Sequence, residues 1–310
     1  MYHEINRIKG REYHYLIENI RSGSSKWKKI KVYLGKGSKT KKEIDKLIGK
    51  NEKILKDRVN KYLTIADPLF GLVTNKQIKE LEDIKKNYIK KIKILGKTGQ
   101  EGYYEWFVTQ STYNTNAIEG STLSLLDTKL ILFEDTVPKG KSLREINEAT
   151  NHKEAFDYIL NYTGELTRRF ILGLHKKLMH NILWKYAGVF RDIQVYVRGA
   201  DLMPPKPEDV EKEFNALMRW YAANKKKYHP VVIASYFHYV FEHIHPFRDG
   251  NGRIGRLILN FILKKNGFPM IDIKNKDKKR YYEALQRADK GNLKMLVKLI
   301  VKYLKEIDKL

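Results

Sequence analysis

The residues best suited to chemistry lie in one stretch, residues 245–256, which reads HPFRDGNGRIGR. It contains an imidazole at His245, a carboxylate at Asp249 and two guanidinium groups, Arg253 and Arg256, three positions apart. An imidazole titrates near neutral pH and therefore can accept a proton from an attacking hydroxyl. A carboxylate beside phosphates commonly holds Mg²⁺, and arginines bind phosphate oxygens through paired hydrogen bonds. The stretch therefore predicts a polyphosphate site with a base for an incoming nucleophile.

The glycine-rich centre of this stretch, Gly250–Asn251–Gly252, predicts an anion site at the start of a helix. The first N–H groups of a helix have no partner within it, and the helix dipole is positive at the same end. Glycines also let a phosphate approach the backbone closely. The same residues suit an ordinary turn, and a histidine in a loop often has only a structural role.

Two predicted helices flank the stretch. The apolar run VVIASYFHYVFEHI predicts a core-facing helix that ends at Pro246, because proline cannot lie in a helix interior. Apolar residues recur with helical spacing after Ile254, so a second helix begins near Asn251. The motif is therefore helix, tight loop, helix, and its two final arginines share one face of the second helix.

The composition limits the class of protein. The 310 residues suit one large domain or two of moderate size, and 42% of them are hydrophobic, which is enough for a core. No apolar run reaches the roughly 18 residues of a membrane helix, and the first ten residues lack the apolar segment of a signal peptide. No cysteine is present, which excludes disulfides and thiolate metal sites. A cytoplasmic protein without a membrane partner is the simplest interpretation.

The formal net charge of +25 raises the question of a nucleic-acid partner. Most of the positive residues are lysines, and they are spread along the whole chain. Lysine-rich helix faces are typical of solvated surface, so nucleic acid is not expected to be the main partner. A basic nucleic-acid-binding protein is the alternative class, and it predicts salt-dependent binding that survives mutation of residues 245–256.

The rest of the chain predicts a mainly α protein with a small N-terminal module. Residues 11–35 alternate as a β-hairpin around a Ser-Gly-Ser-Ser turn, and helical patterns follow. The glycine-rich segment GKTGQEG at 96–102 predicts a break, so the module is assigned to residues 1–100 and the core to residues 101–310. Inside this helical core, VFRDIQVYV at 189–197 has the character of a strand.

HPFRDGNGRIGR resembles the motif of the Fic (Fido) family, H-x-F-x-D/E-G-N-G-R-x-x-R, at every fixed position. GVFRDIQVYVRGADLMPP resembles the flap of that family, at about residues 189–204, and KKRYYEALQRADKGNL resembles its C-terminal nucleotide-side segment. The resemblance covers about residues 103–305. It implies a Fic-type helical core with a β-hairpin flap, and it does not extend to the N-terminal hairpin.

The resemblance implies an enzyme that transfers AMP from ATP to a Ser, Thr or Tyr hydroxyl group of a target protein. It makes His245 the general base, and it makes Asp249 the residue that holds Mg²⁺ against the α- and β-phosphates. The implied phosphate contacts are the cradle residues Gly250, Asn251 and Gly252 and the two arginines, Arg253 and Arg256.

Two further groups of nucleotide contacts follow from the resemblance. The flap would pair with a target segment as an added strand. Its nucleotide contacts would be Val197, Arg198, Gly199 and Ala200. Tyr281 and Tyr282 would pack against the adenosine, although core packing also explains both tyrosines. Asp289 stands where the family often has Asn, and it would contact the same side of the nucleotide.

A second match lies upstream, where TNAIEG, beginning at Thr115, fits the inhibitory pattern of the family, S/T-x-x-x-E-G/N. Thr115 and Glu119 are four positions apart and share a helix face, and Gly120 suits the end of that helix. The resemblance implies an inhibitory helix at about residues 103–120, N-terminal to the core, whose Glu119 pairs with Arg256 and blocks the γ-phosphate contact. The alternative is an ordinary solvated glutamate at a helix end.

The sequence therefore predicts an autoinhibited protein adenylyltransferase that uses Mg²⁺ and ATP. In some relatives the inhibitory glutamate helps to remove AMP from the modified protein, so the reaction could run in both directions. Other relatives transfer UMP, phosphocholine or phosphate, and these are the alternatives for the donor. The resemblance allows a monomer or a homodimer, and the motif does not encode the identity of the target protein.

Overall fold

The computed structural model describes residues 1–22, 26–67, 69–196 and 203–309. The chain divides into two compact units, Met1–Gly71 and Leu72–Leu310. Helices dominate the second unit, and the first combines a three-stranded sheet with one long helix, which confirms the predicted mainly α fold with an N-terminal β element. Among the helices in these ranges, none is both long and apolar enough to cross a membrane.

The N-terminal unit is an antiparallel sheet covered on one side by a long helix. Its elements are β1 (Tyr2–Ile8), β2 (Arg11–Ser22), β3 (Lys26–Lys36) and α1 (Lys41–Ala66). β2 pairs with both neighbours, so β2 and β3 are the predicted hairpin and β1 is an additional strand. Because side chains alternate along a strand, Leu16, Val32 and Leu34 share one face, where they pack against Leu55 of α1.

The second unit carries the candidate site on a set of helices. These are α2 (Asn75–Ile94), α3 (Gly96–Glu119), α4 (Leu125–Phe133), α5 (Leu143–Asn161), α6 (Arg168–Leu178), α7 (Pro207–Asn224), α8 (Pro230–Ile244), α9 (Asn251–Lys265), α10 (Lys278–Asp289) and α11 (Lys294–Asp308). The core lies around α8 and α9, and every residue of α9 from Arg253 to Leu263 is buried. Tertiary packing therefore stabilises α9 more than its intrinsic helix propensity does.

The boundary between the units lies at Gly71, whereas the sequence placed it near residue 100. The reason is that α2 belongs with the last helix of the chain. Lys305 of α11 forms an ion pair with Glu80 of α2 at 2.7 Å. Lys91 of α2 donates a hydrogen bond to the carbonyl of Asp308 at 2.6 Å. These long-range contacts join α2 to the second unit.

The break predicted at residues 96–102 is wrong, because α3 begins at Gly96 and runs through the whole glycine-rich segment. Only Gly96, with a φ of 62°, interrupts the helical path between α2 and α3. The later turns of α3 bury Phe107, Val108 and Ile118. Burial of that face outweighs the cost of about 1 kcal/mol that each internal glycine imposes on a helix.

The strand predicted at residues 189–197 is wrong for the part that the structure describes, because residues 189–196 form bends and irregular backbone. The N–H group of Arg191 donates to the carbonyl of Pro246 at 2.9 Å, so the segment bonds to the loop after α8 instead of to a neighbouring strand. The predicted flap contacts lie outside the described residues; they are Val197, Arg198, Gly199 and Ala200.

Candidate active site

The motif loop, residues 245–250, connects α8 to α9 and is held by the first side chain of α9. His245 ends α8 in the left-handed conformation, with φ 48° and ψ 61°. The Asn251 side chain donates to the carbonyl of Phe247 at 2.9 Å and accepts from its N–H group at 2.8 Å. Asn251 therefore shapes the loop with its side chain, so only its backbone N–H remains for a ligand.

An aromatic pair lies beneath the motif loop. The rings of Phe247 and His175 are stacked, with centroids 3.7 Å apart and planes within 4°. His175 Nδ1 accepts from the N–H group of Gly188 at 2.8 Å, so Nε2 carries the proton and donates to the carbonyl of Asp249 at 3.1 Å. Burial lowers the pKa of His175 to about 4, so the ring stays neutral. His175 was not predicted, because a histidine within an amphipathic helix gives no such signal.

The imidazole of His245 has the protonation state of a general base. Its Nδ1 lies 3.2 Å from the carbonyl of Glu242, and a carbonyl only accepts, so Nδ1 carries the proton and Nε2 has the lone pair. Burial lowers the pKa of His245 below its ordinary value, although the Glu242 carbonyl and the Glu119 charge oppose this shift. The ring is therefore neutral at pH 7, and Nε2 can accept a proton.

The N-terminus of α9 is the candidate anion site. The N–H group of Ile254 donates to the carbonyl of Gly250 at 2.9 Å, which leaves the N–H groups of residues 251–253 without a partner inside the helix. Gly250 has a φ of 79°, and a Cβ added there would lie 2.9 Å from Met179 Sδ. The position therefore requires glycine, which both the predicted anion site and an ordinary turn would explain.

Arg253 is a buried guanidinium with unused hydrogen-bonding atoms. Its side chain is only 3% exposed. Nη1 lies 3.3 Å from Glu148 Oε1, and Nη2 lies 3.3 Å from Asp249 Oδ1. Within the part of the chain that the structure describes, Nε and Nη1 make no hydrogen bond. Nη1 nevertheless has the carboxylate of Glu148 as an ion-pair partner, so Nε is the buried donor left as a candidate contact for an anion.

Asp249 is an ionised carboxylate surrounded by donors. The N–H group of Gly250 donates to Oδ1 at 2.6 Å, and Arg144 Nη2 donates to Oδ2 at 2.6 Å. Burial alone would raise the pKa of Asp249, but Arg253 and these two donors hold it below its ordinary value. Arg144 also donates from Nε to Glu148 at 3.1 Å. Neither Arg144 nor Glu148, both on α5, was predicted as a site residue.

The C-terminal end of α3 holds Arg256 by three hydrogen bonds. Nε donates to Thr115 Oγ1 at 2.7 Å, and Nη2 donates to the Thr115 carbonyl at 3.2 Å and to Glu119 Oε1 at 2.6 Å. Burial alone would raise the pKa of Glu119, but the charge of Arg256 outweighs it and lowers that pKa. Both groups are therefore charged, and the predicted pair lies within hydrogen-bond distance.

The Glu119 carboxylate lies against the first turn of α9. A Cβ added to Gly252 would be 2.4 Å from Glu119 Oε1 and 3.0 Å from Arg256 Nη1. Gly120 ends α3 with a φ of 107°, and its N–H group donates to the carbonyl of Ala117 at 3.1 Å. α3 therefore ends where the Glu119 carboxylate lies against Gly252, in the candidate anion site.

The three residues predicted on the adenosine side all lie on α10, in different surroundings. Tyr281 is 1% exposed, and its hydroxyl lies 2.8 Å from Nε2 of His238, so it packs in the core. Tyr282 is half-buried, with its ring centroid 5.4 Å from that of Tyr281. Asp289 Oδ1 lies 3.3 Å from Nδ1 of His243. Of the two tyrosines, only Tyr282 therefore has surface for a ligand.

Arg191 ties both ends of the flap segment to the end of α8. Its side chain is buried, and Nε donates to the carbonyl of His245 at 2.8 Å. Nη1 and Nη2 donate to the carbonyls of Ile193 at 3.0 Å and Pro205 at 2.6 Å. Arg191 lies within the predicted flap but was not predicted as a site residue, because its partners are backbone groups.

These features place a helix N-terminus with free N–H groups beside a neutral imidazole, His245, and an arginine, Arg256, that is held by Glu119. Residues 165–263 match the family model described as Fic/DOC family. The chain therefore contains a Fic domain within these residues.

Curated relatives agree with this assignment. The chain is 35% identical over 198 residues to a protein named Protein adenylyltransferase Fic from Nematostella vectensis, and the match covers 62% of this chain and 46% of that protein. It is 36% identical over 198 residues to the protein of the same name from Aedes aegypti, covering 62% and 39%. The chain therefore spans less than half the length of these two relatives.

Solved structures show the same fold. Fic-1 from C. elegans superposes with a TM-score of 0.66 at 27% identity, covering 84% of this chain and 76% of that one. A Fic domain containing signaling protein from Bacteroides thetaiotaomicron gives a TM-score of 0.63 at 28% identity, covering 75% and 92%.

Proposed function

We propose that this chain is a protein adenylyltransferase, which moves AMP from ATP to a Ser, Thr or Tyr hydroxyl group of a target protein. The observation that carries the proposal is the combination of a neutral His245, the free N–H groups at the start of α9 and a buried Arg253 whose Nε and Nη1 make no hydrogen bond. The names of the curated relatives support the same activity. Because ATP is the donor, the proposal places the reaction in an ATP-containing compartment such as the cytoplasm.

The phosphates of ATP are proposed to bind at the start of α9. The N–H groups of residues 251–253 and the helix dipole attract them, and the nitrogens of Arg253 complete the contacts. Arg256 is the second guanidinium on this face, and it becomes available to the γ-phosphate only when Glu119 leaves it. Fixed donors of this kind orient the triphosphate and favour the charge that develops during transfer.

Asp249 is the residue that would hold Mg²⁺. Its depressed pKa keeps it ionised, and Oδ2 faces the exposed side chain of Arg144. Among the described residues there is no group of three or more His, Asp and Glu side chains that could enclose a metal. A single carboxylate fits Mg²⁺, which takes its other ligands from phosphates and water. When bound, Mg²⁺ would neutralise phosphate charge as a Lewis acid.

His245 performs the proton transfer in the proposed reaction. Its Nε2 accepts the proton of the acceptor hydroxyl while that oxygen bonds to the α-phosphorus of ATP. The bond from the α-phosphorus to the bridging oxygen breaks, and pyrophosphate leaves with that oxygen. The Glu242 carbonyl keeps the proton on Nδ1, so the basic nitrogen is always Nε2.

We further propose that Glu119 inhibits this reaction within the same chain. Its carboxylate neutralises Arg256 and lies against Gly252, where it competes with phosphate for the same positive groups. The Glu119 side chain is 37% exposed, whereas that of Arg256 is 7% exposed. The glutamate can therefore swing towards solvent while the arginine stays in place.

The test uses ATP labelled on the α-phosphate, with Mg²⁺, and compares the wild-type chain, Glu119→Gly and Glu119→Gly/His245→Ala. Label on protein in Glu119→Gly, but not in the double variant, supports AMP transfer. Label that appears on protein only from γ-labelled ATP would contradict it and indicate a kinase. The same assay with UTP or CDP-choline tests the other donors.

A further inference from the structure

The N-terminal unit is more basic than the rest of the chain. Residues 1–71 contain 18 Lys and Arg against 8 Asp and Glu, an excess of ten positive charges. Residues 72–310 carry the remaining excess of 15 over more than three times that length. A concentration of positive charge in one compact unit is typical of a surface that binds a polyanion.

One face of the N-terminal sheet combines this charge with aromatic rings. Leu16 and Val32 point towards α1, so their chain neighbours Tyr15 and Tyr33, paired across β2 and β3, point to the opposite side. We name this opposite side the tyrosine face. Among its exposed and partly exposed residues are Arg11, Tyr13, Tyr15, Lys31, Tyr33 and Lys36.

The tyrosines form a continuous aromatic surface. The ring centroid of Tyr33 lies 5.5 Å from that of Tyr15 and 6.4 Å from that of Tyr13. Tyr33 is 49% exposed, so part of its ring is accessible to a ligand. Ile17 on the same face is buried, so the accessible part is the end of the sheet nearest the turn between β1 and β2.

Three cations, Arg11, Lys31 and Lys36, share the tyrosine face with these rings. Lys31 Nζ lies 5.1 Å above the centre of the Tyr15 ring, and Lys36 is paired with Tyr13 in the strand register. Arg11 and Lys36 also line a groove of about 790 Å³ at the end of the sheet. Within the described residues, no carboxylate forms an ion pair with Arg11, Lys31 or Lys36.

The one acidic residue that shares the tyrosine face is already neutralised. Glu4 is paired with Tyr15 in the register of β1 and β2, and its carboxylate forms an ion pair with Lys29. In the neighbouring groove, Glu12 is paired with Arg7 at 2.9 Å. The positive charge of the face is therefore not cancelled locally.

We propose that the tyrosine face binds single-stranded nucleic acid, whose bases stack on the tyrosines and whose phosphates contact the three cations. Bases present flat π faces to aromatic side chains on an open sheet, and sequence-tolerant binding of this kind needs both stacking and positive charge. Binding of an acidic protein would require the positive charges of this face but not the neighbouring tyrosine rings. This proposal does not depend on AMP transfer.

The test measures fluorescence anisotropy of labelled single-stranded RNA and DNA of about 12 nucleotides with the full chain over a range of salt. Tyr33→Ala is expected to weaken binding by roughly 5- to 100-fold, because one base loses its stacking partner. The triple variant Arg11→Gln/Lys31→Gln/Lys36→Gln is expected to reduce the slope of log affinity against log salt by about 2. A preference for RNA or for DNA would identify which strand the face accepts.

The matched control removes three exposed lysines from the α1 side of the same unit, as Lys42→Gln/Lys46→Gln/Lys50→Gln, with the same change in net charge. This control and His245→Ala should bind nucleic acid within about twofold of the wild type. An equal loss of nucleic-acid affinity in the two triple variants would overturn the proposal, because binding would then depend on net charge alone. Equal affinity for duplex DNA, or displacement by polyglutamate at equal charge concentration, would overturn it as well. Unchanged melting temperatures establish that the variants are folded.

Discussion

α3 and α5 both bring charged side chains to the candidate site formed by the motif loop and the first turns of α9. Besides the Glu148–Arg253 pair, α5 contributes an ion pair opposite in sense to that of α3. α3 places Glu119 on the cation Arg256, whereas α5 places Arg144 on the anion Asp249. The contacts also differ in burial, because the Arg256 side chain is 7% exposed and that of Arg144 is 57% exposed. Exposed ion pairs contribute little, whereas a buried charge depends strongly on its partner. Under the proposed function, loss of the Glu119–Arg256 pair should therefore change activity much more than loss of the Arg144–Asp249 pair.

The largest effect is expected at His245, because the proposed reaction has no other proton acceptor on α3 or α5. In the Glu119→Gly background, His245→Ala should lower the rate of AMP transfer by roughly 10²- to 10⁴-fold. Incorporation of α-labelled AMP measures the rate, and calorimetry with ATP should give an unchanged affinity. Transfer within tenfold of the parent variant would show that His245 is not the base.

The second-largest effect is expected at Arg256, the cation that Glu119 of α3 contacts. Arg256→Ala in the Glu119→Gly background should lower kcat/KM by roughly 10- to 100-fold, because a charge-assisted contact to phosphate is lost. In a chain that retains Glu119, Arg256→Ala should not activate transfer, since it removes the phosphate contact together with the inhibitory pair. If Arg256→Ala alone were as active as Glu119→Gly, Arg256 would not be the cation that binds phosphate.

A smaller effect is expected on the α5 side. Arg144→Ala frees Asp249 Oδ2, so the Mg²⁺ concentration that gives half-maximal ATP binding should fall by up to about fivefold. Calorimetry at several Mg²⁺ concentrations measures this. Lys153→Ala, which removes the Lys153–Asp157 ion pair elsewhere on α5, is the matched control and should change nothing. If Arg144→Ala raised the rate of AMP transfer as much as Glu119→Gly, α5 would also inhibit the site.

The smallest effect is the dependence of the rate on pH. Burial holds the pKa of His245 below its ordinary value of about 6.5, so the base form dominates above that pH. The rate in Glu119→Gly should therefore change by less than about twofold between pH 7 and 8, and it should fall only as the pH drops below about 6.5. Since the Glu119 charge opposes the pKa shift, its removal should move this acid limb lower still. A rate that rises steeply above pH 7 would contradict the neutral ring.

The sequence predicted the motif loop well because its determinants are local. Asn251 and Phe247 are four residues apart, and the fixed glycine at position 250 sits where the backbone requires a positive φ. The roles of Arg144 and Arg191 were missed because their partners lie 105 and 54 residues away. No local pattern states which face of α5 meets the loop.

The errors in the fold have a related cause. The glycines at 96–102 predicted a break because glycine has a low intrinsic helix propensity. Packing of the later turns of α3 stabilises the helix despite these glycines. The segment 189–196 has strand-forming residues, yet its backbone bonds to the motif loop and not to another strand. The pair of Glu119 and Arg256, 137 residues apart, was predicted only through the family resemblance.

The most direct test of the account is the ratio of AMP-transfer rates in Glu119→Gly and wild type, measured with α-labelled ATP beside ATP affinity by calorimetry. Release of Arg256 should raise the rate by roughly 10- to 100-fold while ATP affinity changes far less, because the glutamate blocks one phosphate contact and not the whole site. Equal rates in the two proteins, with both able to bind ATP, would contradict inhibition by Glu119.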